Sequence, residues 1–538
     1  MKKPLILIVF IFIIIGNVFS VNPANDFKYK LSNDGKYVII TGFRNQRSDY
    51  IFPETIEEFP VREVKITNVE SGEIFGNVKQ VSLKLNSNIT NFIFEEYHHW
   101  NKSKCIPIVI EGLSDNIIEC NIKSFPSPHG PTFYEDEADS PNFKTIKIKG
   151  SLEVLKNAKT LIFTNVIFEK TSLIVQKGWD NYSFWCTNLE EVIFEDGILK
   201  TSSFAFSYNS KLRKIIFPST IKSIGVSNFC YCPKLSELII PDEITNLQFE
   251  KKYTQNTFAY TDLQLKTQAK LKQLGYNGDF FAKNQSSDLD YMLSANGEYV
   301  IITGFKNKKA KYIIPENIEG FPVTKVAVSG TNAFSLFGDV KQVSIILSKS
   351  LTCFELWIYD VLIDITLEGL SDGIKEFYVF SDDRMKFASM SDPPSDKFKP
   401  IKIKDSKEFL SNAKTVVCRN VKFEKTSLII KRTWEKFVFS NTNLEDISFE
   451  DGIKMIGQEV RSVDGFSHNK NLQKVSFPPS VTDIADGTFN NCPRLSELII
   501  PDEILFLNFH KGYYIFKNTA LPLKIQAKLK QLGYSGAF

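Results

Sequence analysis

Five histidines and eight cysteines are the residues of this chain best suited to metal, redox or nucleophilic chemistry, and their spacing assembles none of it. His98 and His99 are adjacent, and neighbours on a strand point to opposite faces, so a solvated loop describes them better than a shared metal. His129, His468 and His510 stand apart, and no His-Glu-x-x-His spacing joins any of the five. Cys230 and Cys232 form a Cys-x-Cys, which alternates across a strand or turn and is poorly placed for a mutual bond. Cys105 and Cys120 occur only in the first half of the chain, Cys353 and Cys418 only in the second. A Cys105–Cys120 bridge is left open, whereas a zinc or redox centre needs a second matched pair that the sequence does not supply. Glu135, Asp136, Glu137 and Asp139 lie between Pro131 and Pro141 without the glycine punctuation of a calcium loop, and read as solvated. No nucleophile elbow, phosphate loop or dinucleotide glycine pattern occurs in a supporting context. The expectation is a protein that binds, with no catalytic residue, cofactor or metal.

Bulk properties narrow the partner. Net charge is +3 over 538 residues, which gives no general case for nucleic-acid binding. The hydrophobic fraction of 43% supports a real core, and abundant Ile, Val and Phe suit a pleated surface. At the start, Lys2 and Lys3 precede an apolar run from Pro4 to Ile15, then Gly16, Asn17 and Val18-Phe19-Ser20. That is the order of an export signal, with cleavage expected after Ser20. A retained signal anchor is the alternative, but the run falls short of the ~20 residues a span needs. No second spanning run follows, so the mature chain is expected to be secreted or held at a cell surface without a transmembrane helix. Sequons at Asn88, Asn101, Asn181 and Asn284 matter only where exported proteins are glycosylated.

The elements that position these residues come from a duplication. Leu31-Ser-Asn-Asp-Gly-Lys-Tyr-Val-Ile-Ile-Thr-Gly-Phe43 returns as Leu293-Ser-Ala-Asn-Gly-Glu-Tyr-Val-Ile-Ile-Thr-Gly-Phe305, and Glu169-Lys-Thr-Ser-Leu-Ile174 as Glu424-Lys-Thr-Ser-Leu-Ile429. Gln268-Ala-Lys-Leu-Lys-Gln-Leu-Gly-Tyr276 returns as Gln526 to Tyr534. A shorter period lies inside each copy. Leu189-x-x-Val192-x-Phe194, Leu212-x-x-Ile215-x-Phe217 and Leu235-x-x-Leu238-x-Ile240 recur in copy two from Leu444, Leu472 and Leu495. Apolar positions one, four and six point inward from a short strand. Pro218, Pro241, Pro478 and Pro501 end these strands, because proline cannot donate to the ladder. Three positions before each leading Leu stands Cys186, Asn209, Cys232, Asn441, Asn469 or Cys492, a slot where a buried side chain can pair with turning backbone.

Ile216-Phe-Pro-Ser-Thr-Ile-Lys-Ser-Ile-Gly225 followed by Phe229-Cys-Tyr-Cys-Pro-Lys-Leu235-Ser-Glu-Leu-Ile-Ile-Pro241 resembles the BspA-type (Treponema-type) leucine-rich repeat. The resemblance is specific over residues 183–250 and 438–505 and weaker over 27–85 and 289–347. Residues 86–182 and 348–437 are strand-like but poor in the consensus, which leaves their repeat count open. It implies a β-rich (α+β) leucine-rich-repeat solenoid, built as two tandem homologous domains, each with an opening β segment and a short C-terminal capping helix. The division expected is a signal peptide at 1–20, copy one at 21–281, a linker at 282–288 and copy two at 289–538. Leu263 to Leu274 and Leu523 to Leu532, closed by Gly275 and Gly533, are the capping helices expected. Such proteins are exported surface proteins of bacteria and some protists, so the resemblance implies adhesion to a protein or glycan ligand on a host, matrix or microbial surface. A structural envelope component uses the same fold, and an enzyme is the remaining alternative.

The outward positions of the repeat strands form columns. Copy one has Ile193, Ile216 and Ile239, where copy two has Ser448, Ser476 and Ile499. Glu190 and Glu191, Arg213 and Lys214, then Ser236 and Glu237 run beside the first, as charges that can pair across strands. Stacked isoleucines facing water invite a partner. The candidate partner-binding face is therefore Ile193, Ile216 and Ile239, with Arg213 and Lys214, on the more apolar copy one.

Overall fold

Alternating burial along short β-branched segments makes this a strand protein, and the tandem repeats make nearly all of its strands parallel. The computed structural model describes residues 24–97, 106–125, 146–250, 256–278, 280, 288–382, 398–404, 410–457, 465–510 and 514–538. The expected export signal, His98, His99, Cys105, His129, the acidic residues at 135–139 and the expected linker at 282–287 lie outside the described residues. The chain divides into two compact units, Met1–Thr267 with Gln273–Ala282, and Gln268–Lys272 with Lys283–Phe538.

The first unit opens on an antiparallel pair, Phe27–Leu31 against Val38–Phe43. Its turn is organised by Ser32 Oγ, which accepts from the Lys36 and Tyr37 N–H groups at 3.1 Å each. Beyond the pair the chain winds as a solenoid. A long sheet takes Phe59–Val69, Asn91–Tyr97, Glu119–Phe125, Thr160–Thr164 and Asn181–Trp185 in parallel order. A second sheet takes Asp49–Ile51, Val81–Lys84, Ile108–Glu111, Ile146–Ile148 and Val166–Phe168. The stretch whose repeats were unreadable in the sequence is therefore regular solenoid, each coil giving one strand to each sheet. The consensus fails there because inward positions such as Phe92, Phe94, Ile108, Ile110, Ile146 and Ile148 bury other branched and aromatic side chains in place of leucine.

The readable repeats follow as a four-stranded parallel sheet, Ser172–Val175, Glu191–Phe194, Lys214–Ile216 and Glu237–Ile239. Leu173, Val192, Ile215 and Leu238 are in register and all buried. The second unit repeats the order, with a long sheet from Leu289–Leu293 to Lys436–Ser440, a second sheet from Lys311–Ile313 to Val421–Phe423, and a four-stranded sheet from Ser427–Ile430 to Glu497–Ile499.

Opposite the four-stranded sheet runs a spine of phenylalanines, one per coil. Phe163, Phe184, Phe206, Phe229 and Phe258 stack at centroid distances of 5.4, 5.6, 5.7 and 5.6 Å. Phe439, Phe466, Phe489 and Phe516 do the same at 6.0, 5.6 and 5.6 Å. All are buried. Each copy ends on the helix expected, Leu265–Gln273 or Leu523–Gln531. Gly275 and Gly533 follow at φ 106° and 109°, the left-handed region in which glycine ends a helix without a Cβ penalty. The Tyr276 and Tyr534 hydroxyls then accept from the N–H groups of Phe258 and Phe516, at 3.3 Å each, which ties each cap to the spine.

Truncating a mid-spine ring removes two stacks and leaves a cavity. Phe229→Ala is expected to cost about 3–5 kcal/mol, read as a lower urea midpoint. Phe204→Asn, at a half-exposed residue with φ 56°, is the control expected to change little.

Candidate functional site

Each repeat coil turns a corner between the spine and the four-stranded sheet. Four residues make that corner, and the first is the spine phenylalanine, or Cys418 in the coil of Asn420. The third holds a left-handed backbone: Asn165, Cys186, Tyr208, Tyr231 and Tyr260 in copy one, and Asn420, Asn441, His468, Asn491 and Asn518 in copy two, all with φ between 51° and 60°. In that conformation its N–H points along the solenoid to the next coil. Tyr208 donates to the Cys230 carbonyl at 2.9 Å, Tyr231 to Ala259 at 2.9 Å and His468 to Asn490 at 2.8 Å.

The fourth residue is the buried slot. Asn209 Nδ2 donates to the Phe206 and Phe184 carbonyls at 2.9 Å, and its Oδ1 accepts from Thr187 N–H and Oγ1 at 2.7 Å. Asn469 repeats all four bonds with Phe466, Phe439 and Thr442. Cys232 and Cys492 offer a thiol instead, at 3.2 and 3.3 Å from the Phe206 and Phe466 carbonyls. Cys186 and Asn441 are not slot residues, contrary to the sequence expectation. They are the left-handed residues, and Thr187 and Thr442 fill the slot. Counting back three from Leu189 and Leu444 lands one residue early because those turns are shorter. Asn188 and Asn443 occupy them, and their amides pair with both backbone groups of Phe168 and Phe423, extending the second sheet by one side chain.

The outward column of the four-stranded sheet is longer than the sequence reading had it. Ile174, Ile193, Ile216 and Ile239 are in register on neighbouring strands. Ile174 and Ile239 are 37% and 40% exposed, and the inner two are half-buried between them. Ile174 escaped notice because its strand lacks a leading leucine. In copy two the column reads Ile429, Ser448, Ser476 and Ile499. Lys214 bridges Glu191 at 3.3 Å and Glu237 at 3.9 Å, so this candidate contact is already engaged in the sheet's own charge ladder. Arg213 is exposed and makes no ion pair among the described residues.

The corner column distinguishes the copies again. Tyr208, Tyr231 and Tyr260 stack at 4.5 Å with rings within 16° of parallel, and Trp185 meets Tyr208 edge-on at 5.4 Å. Their single recurrence per coil was the available signal. In copy two, Asn518 donates to Asn491 Oδ1 at 2.6 Å in the same column.

The chemistry-bearing residues stay dispersed. Cys120, Cys186, Cys230, Cys232, Cys353, Cys418 and Cys492 are free thiols. His468 is a buried corner residue, and His510 Nε2 lies 2.8 Å from Asp483 on the surface of copy two. No group of metal-ligating side chains gathers among the described residues. Burial pushes the Cys492 thiol up to about 12 and raises Cys120, Cys232 and Cys418 as well. A thiol raised on folding stabilises the fold below its unfolded pKa of about 8.5 and loses that contribution as pH climbs towards the folded value. Stability is therefore expected to fall above about pH 9. Mass-spectrometric mapping should find Cys232 and Cys492 unalkylated at pH 8 in the native chain and alkylated in urea.

The family described as BspA type Leucine rich repeat region matches residues 132–264 and 413–530, in six copies. No curated protein matches the chain. Among solved structures it is similar to a leucine-rich repeat protein of Treponema pallidum, at 19% identity over 47% of this chain and 98% of that one, with a TM-score of 0.23. A leucine-rich repeat protein of Bacteroides ovatus shares 14% identity over 96% and 99%, with a TM-score of 0.27. The pneumococcal vaccine antigen PcpA shares 12% over 94% and 98%, with a TM-score of 0.21. At scores this low nothing about function is taken from the superpositions.

Proposed function

This chain is a leucine-rich-repeat protein of the BspA type, and on that footing we propose that it is an exported protein that binds a partner at a cell surface through the outward face of the four-stranded sheet in copy one. Leucine-rich-repeat solenoids present extended surfaces made of one outward residue per coil, and use them to bind. With a signal-like first segment and no gathered catalytic set among the described residues, the chain fits a binding scaffold better than an enzyme. Adhesion to a host, matrix or microbial surface is the role that agrees best with this family and with the signal-like first twenty residues. No helix among the described residues is long and apolar enough to cross a membrane.

The observation that carries the reading is the register of Ile174, Ile193, Ile216 and Ile239 on four adjacent strands. Strands ~4.8 Å apart hold these side chains in one continuous apolar strip. Contact along the strip already half-buries Ile193 and Ile216, and a partner that covers the area still exposed gains ~25 cal/mol per Å² of apolar surface removed from water. Copy two interrupts the strip with Ser448 and Ser476.

The full chain from Val21 onwards should be presented to arrays of matrix proteins and surface glycans. Ile216→Lys is expected to weaken the strongest interaction found by roughly tenfold or more, about 1.4 kcal/mol, with an unchanged melting temperature. Ser476→Lys should leave it intact. Equal binding by Ile216→Lys and the unaltered chain would remove this face from the proposal.

A further inference from the structure

The corner column of copy one presents a second surface, separate from the isoleucine strip. A left-handed backbone favours Asn, and His to a lesser extent, over a bulky side chain. Copy two follows that preference with His468, Asn491 and Asn518. Copy one places Tyr208, Tyr231 and Tyr260 at the same corners, at φ 60°, 57° and 58°. The corner N–H is donated to the next coil by Tyr208 and Tyr231 in copy one and by His468 and Asn491 in copy two. The donated N–H therefore does not by itself select tyrosine at these corners.

Their arrangement determines what they can touch. Tyr208 and Tyr231 are half-buried, Tyr260 is 36% exposed, and the rings lie face to face at 4.5 Å. Tyr231 has a ring on both faces, and Tyr208 has Trp185 on its other side. A sugar ring that stacks on an aromatic face finds no free face in the middle of this ladder. What remains open to solvent is a row of ring edges, and the edge is the positive part of an aromatic quadrupole. The same turns carry Lys211 and Lys234, each three residues beyond a ladder tyrosine, and Arg213 follows Lys211. All three are exposed and make no ion pair among the described residues. The equivalent position beyond Tyr260 is Leu263, which is buried, and Asp262 precedes it, so the positive charge beside the ladder belongs to the two middle coils.

We propose that the Tyr208–Tyr231–Tyr260 ladder with Lys211, Arg213 and Lys234 is a docking surface for an acidic segment of a protein. Tyrosine and arginine are the residues over-represented among interface anchors, because they give large contact area at low entropic cost, and here the stack has fixed the rings before the partner arrives. The partner's carboxylates meet the lysines and arginine, and its chain lies along the ring edges. Copy two, with an amide ladder in the same column, does not share the surface.

The test uses a labelled oligoglutamate peptide as the probe, with heparin and a cello-oligosaccharide as parallel arms, on the full chain in fluorescence anisotropy. The decisive variant gives copy one the corner of copy two, as Tyr208→His, Tyr231→Asn and Tyr260→Asn together. Oligoglutamate is expected to bind the unaltered chain, more weakly as salt rises, and to bind the triple variant roughly tenfold or more weakly. Circular dichroism and the melting temperature report whether the variant keeps its fold. If it does not, Lys211→Glu with Lys234→Glu decides, and the same loss of oligoglutamate binding is expected. Undiminished oligoglutamate binding by the folded variant overturns the proposal. So does failure of the unaltered chain to bind it, or a ladder dependence seen only with heparin or the cello-oligosaccharide.

Discussion

Everything in this molecule depends on turning a buried corner without stranding a backbone polar group. Parallel strands stack ~4.8 Å apart, so each corner lies directly against the next and has no water on either side. A buried N–H or C=O left without a partner there would cost about 1–3 kcal/mol, repeated at every coil. Two local devices avoid it. A left-handed residue aims its N–H at the next coil, and the slot side chain after it takes up carbonyls from its own coil and the one before. With the corner fixed, the spine phenylalanine three residues earlier can only fall onto its neighbour's ring. The strand that leaves the corner then enters the four-stranded sheet in register.

That dependence explains how much could be read without coordinates. The duplication, the inward Leu-x-x-Ile-x-Phe pattern and the capping helices are side-chain periodicities, and the fold follows them to within a residue or two at the helix ends. The second sheet and most of the long sheet were not legible as repeats. Their inward residues are Ile, Val and Phe in varying order, and parallel strands buried on one side tolerate any of these. The slot was legible where it held Asn209, Cys232, Asn469 or Cys492, and misplaced at Cys186 and Asn441. A fixed count cannot register that an Asn188 or Asn443 side chain is standing in for a stretch of strand. The isoleucine column was legible for three of its four members. The tyrosine ladder went unread, because tyrosine is an improbable choice at a left-handed position and nothing in a local pattern singles it out.

On the readable repeat coils the copies share the residues that hold the corner and differ on the outward positions. Leu212 and Leu472, Asn209 and Asn469, or Phe206 and Phe466 cannot be exchanged for other chemistry without opening a cavity or leaving a carbonyl unpaired. Ile216 and Ser476 point away from the core and can differ freely, as can Tyr231 and Asn491. Duplication preserved the buried slot and the inward leucines of the readable repeats, and left the outward strand column and the corner column as variables. Differences in recognition between the copies fall in those columns and in the exposed turn residues beside them, where copy two has Asn471 and Gln473 for Lys211 and Arg213.

The corner column adds a constraint of its own, because its members do not vary one at a time. A left-handed conformation costs a bulky residue about 1–2 kcal/mol. An aromatic contact returns about 0.5–1.5 kcal/mol. One tyrosine among asparagines would bear the cost with no ring to stack on. Three tyrosines and Trp185 share three ring contacts, and the two quantities come within a few kcal/mol of balance. An amide ladder reaches the same balance by another route, with Asn491 and Asn518 bonded to each other and each suited to its backbone. Intermediate ladders, half aromatic and half amide, lose both benefits at the join. The three tyrosines of copy one therefore stand on consecutive coils, and the asparagines of copy two on either side of His468, and a run of like side chains on successive coils is the form of surface an extended partner can read.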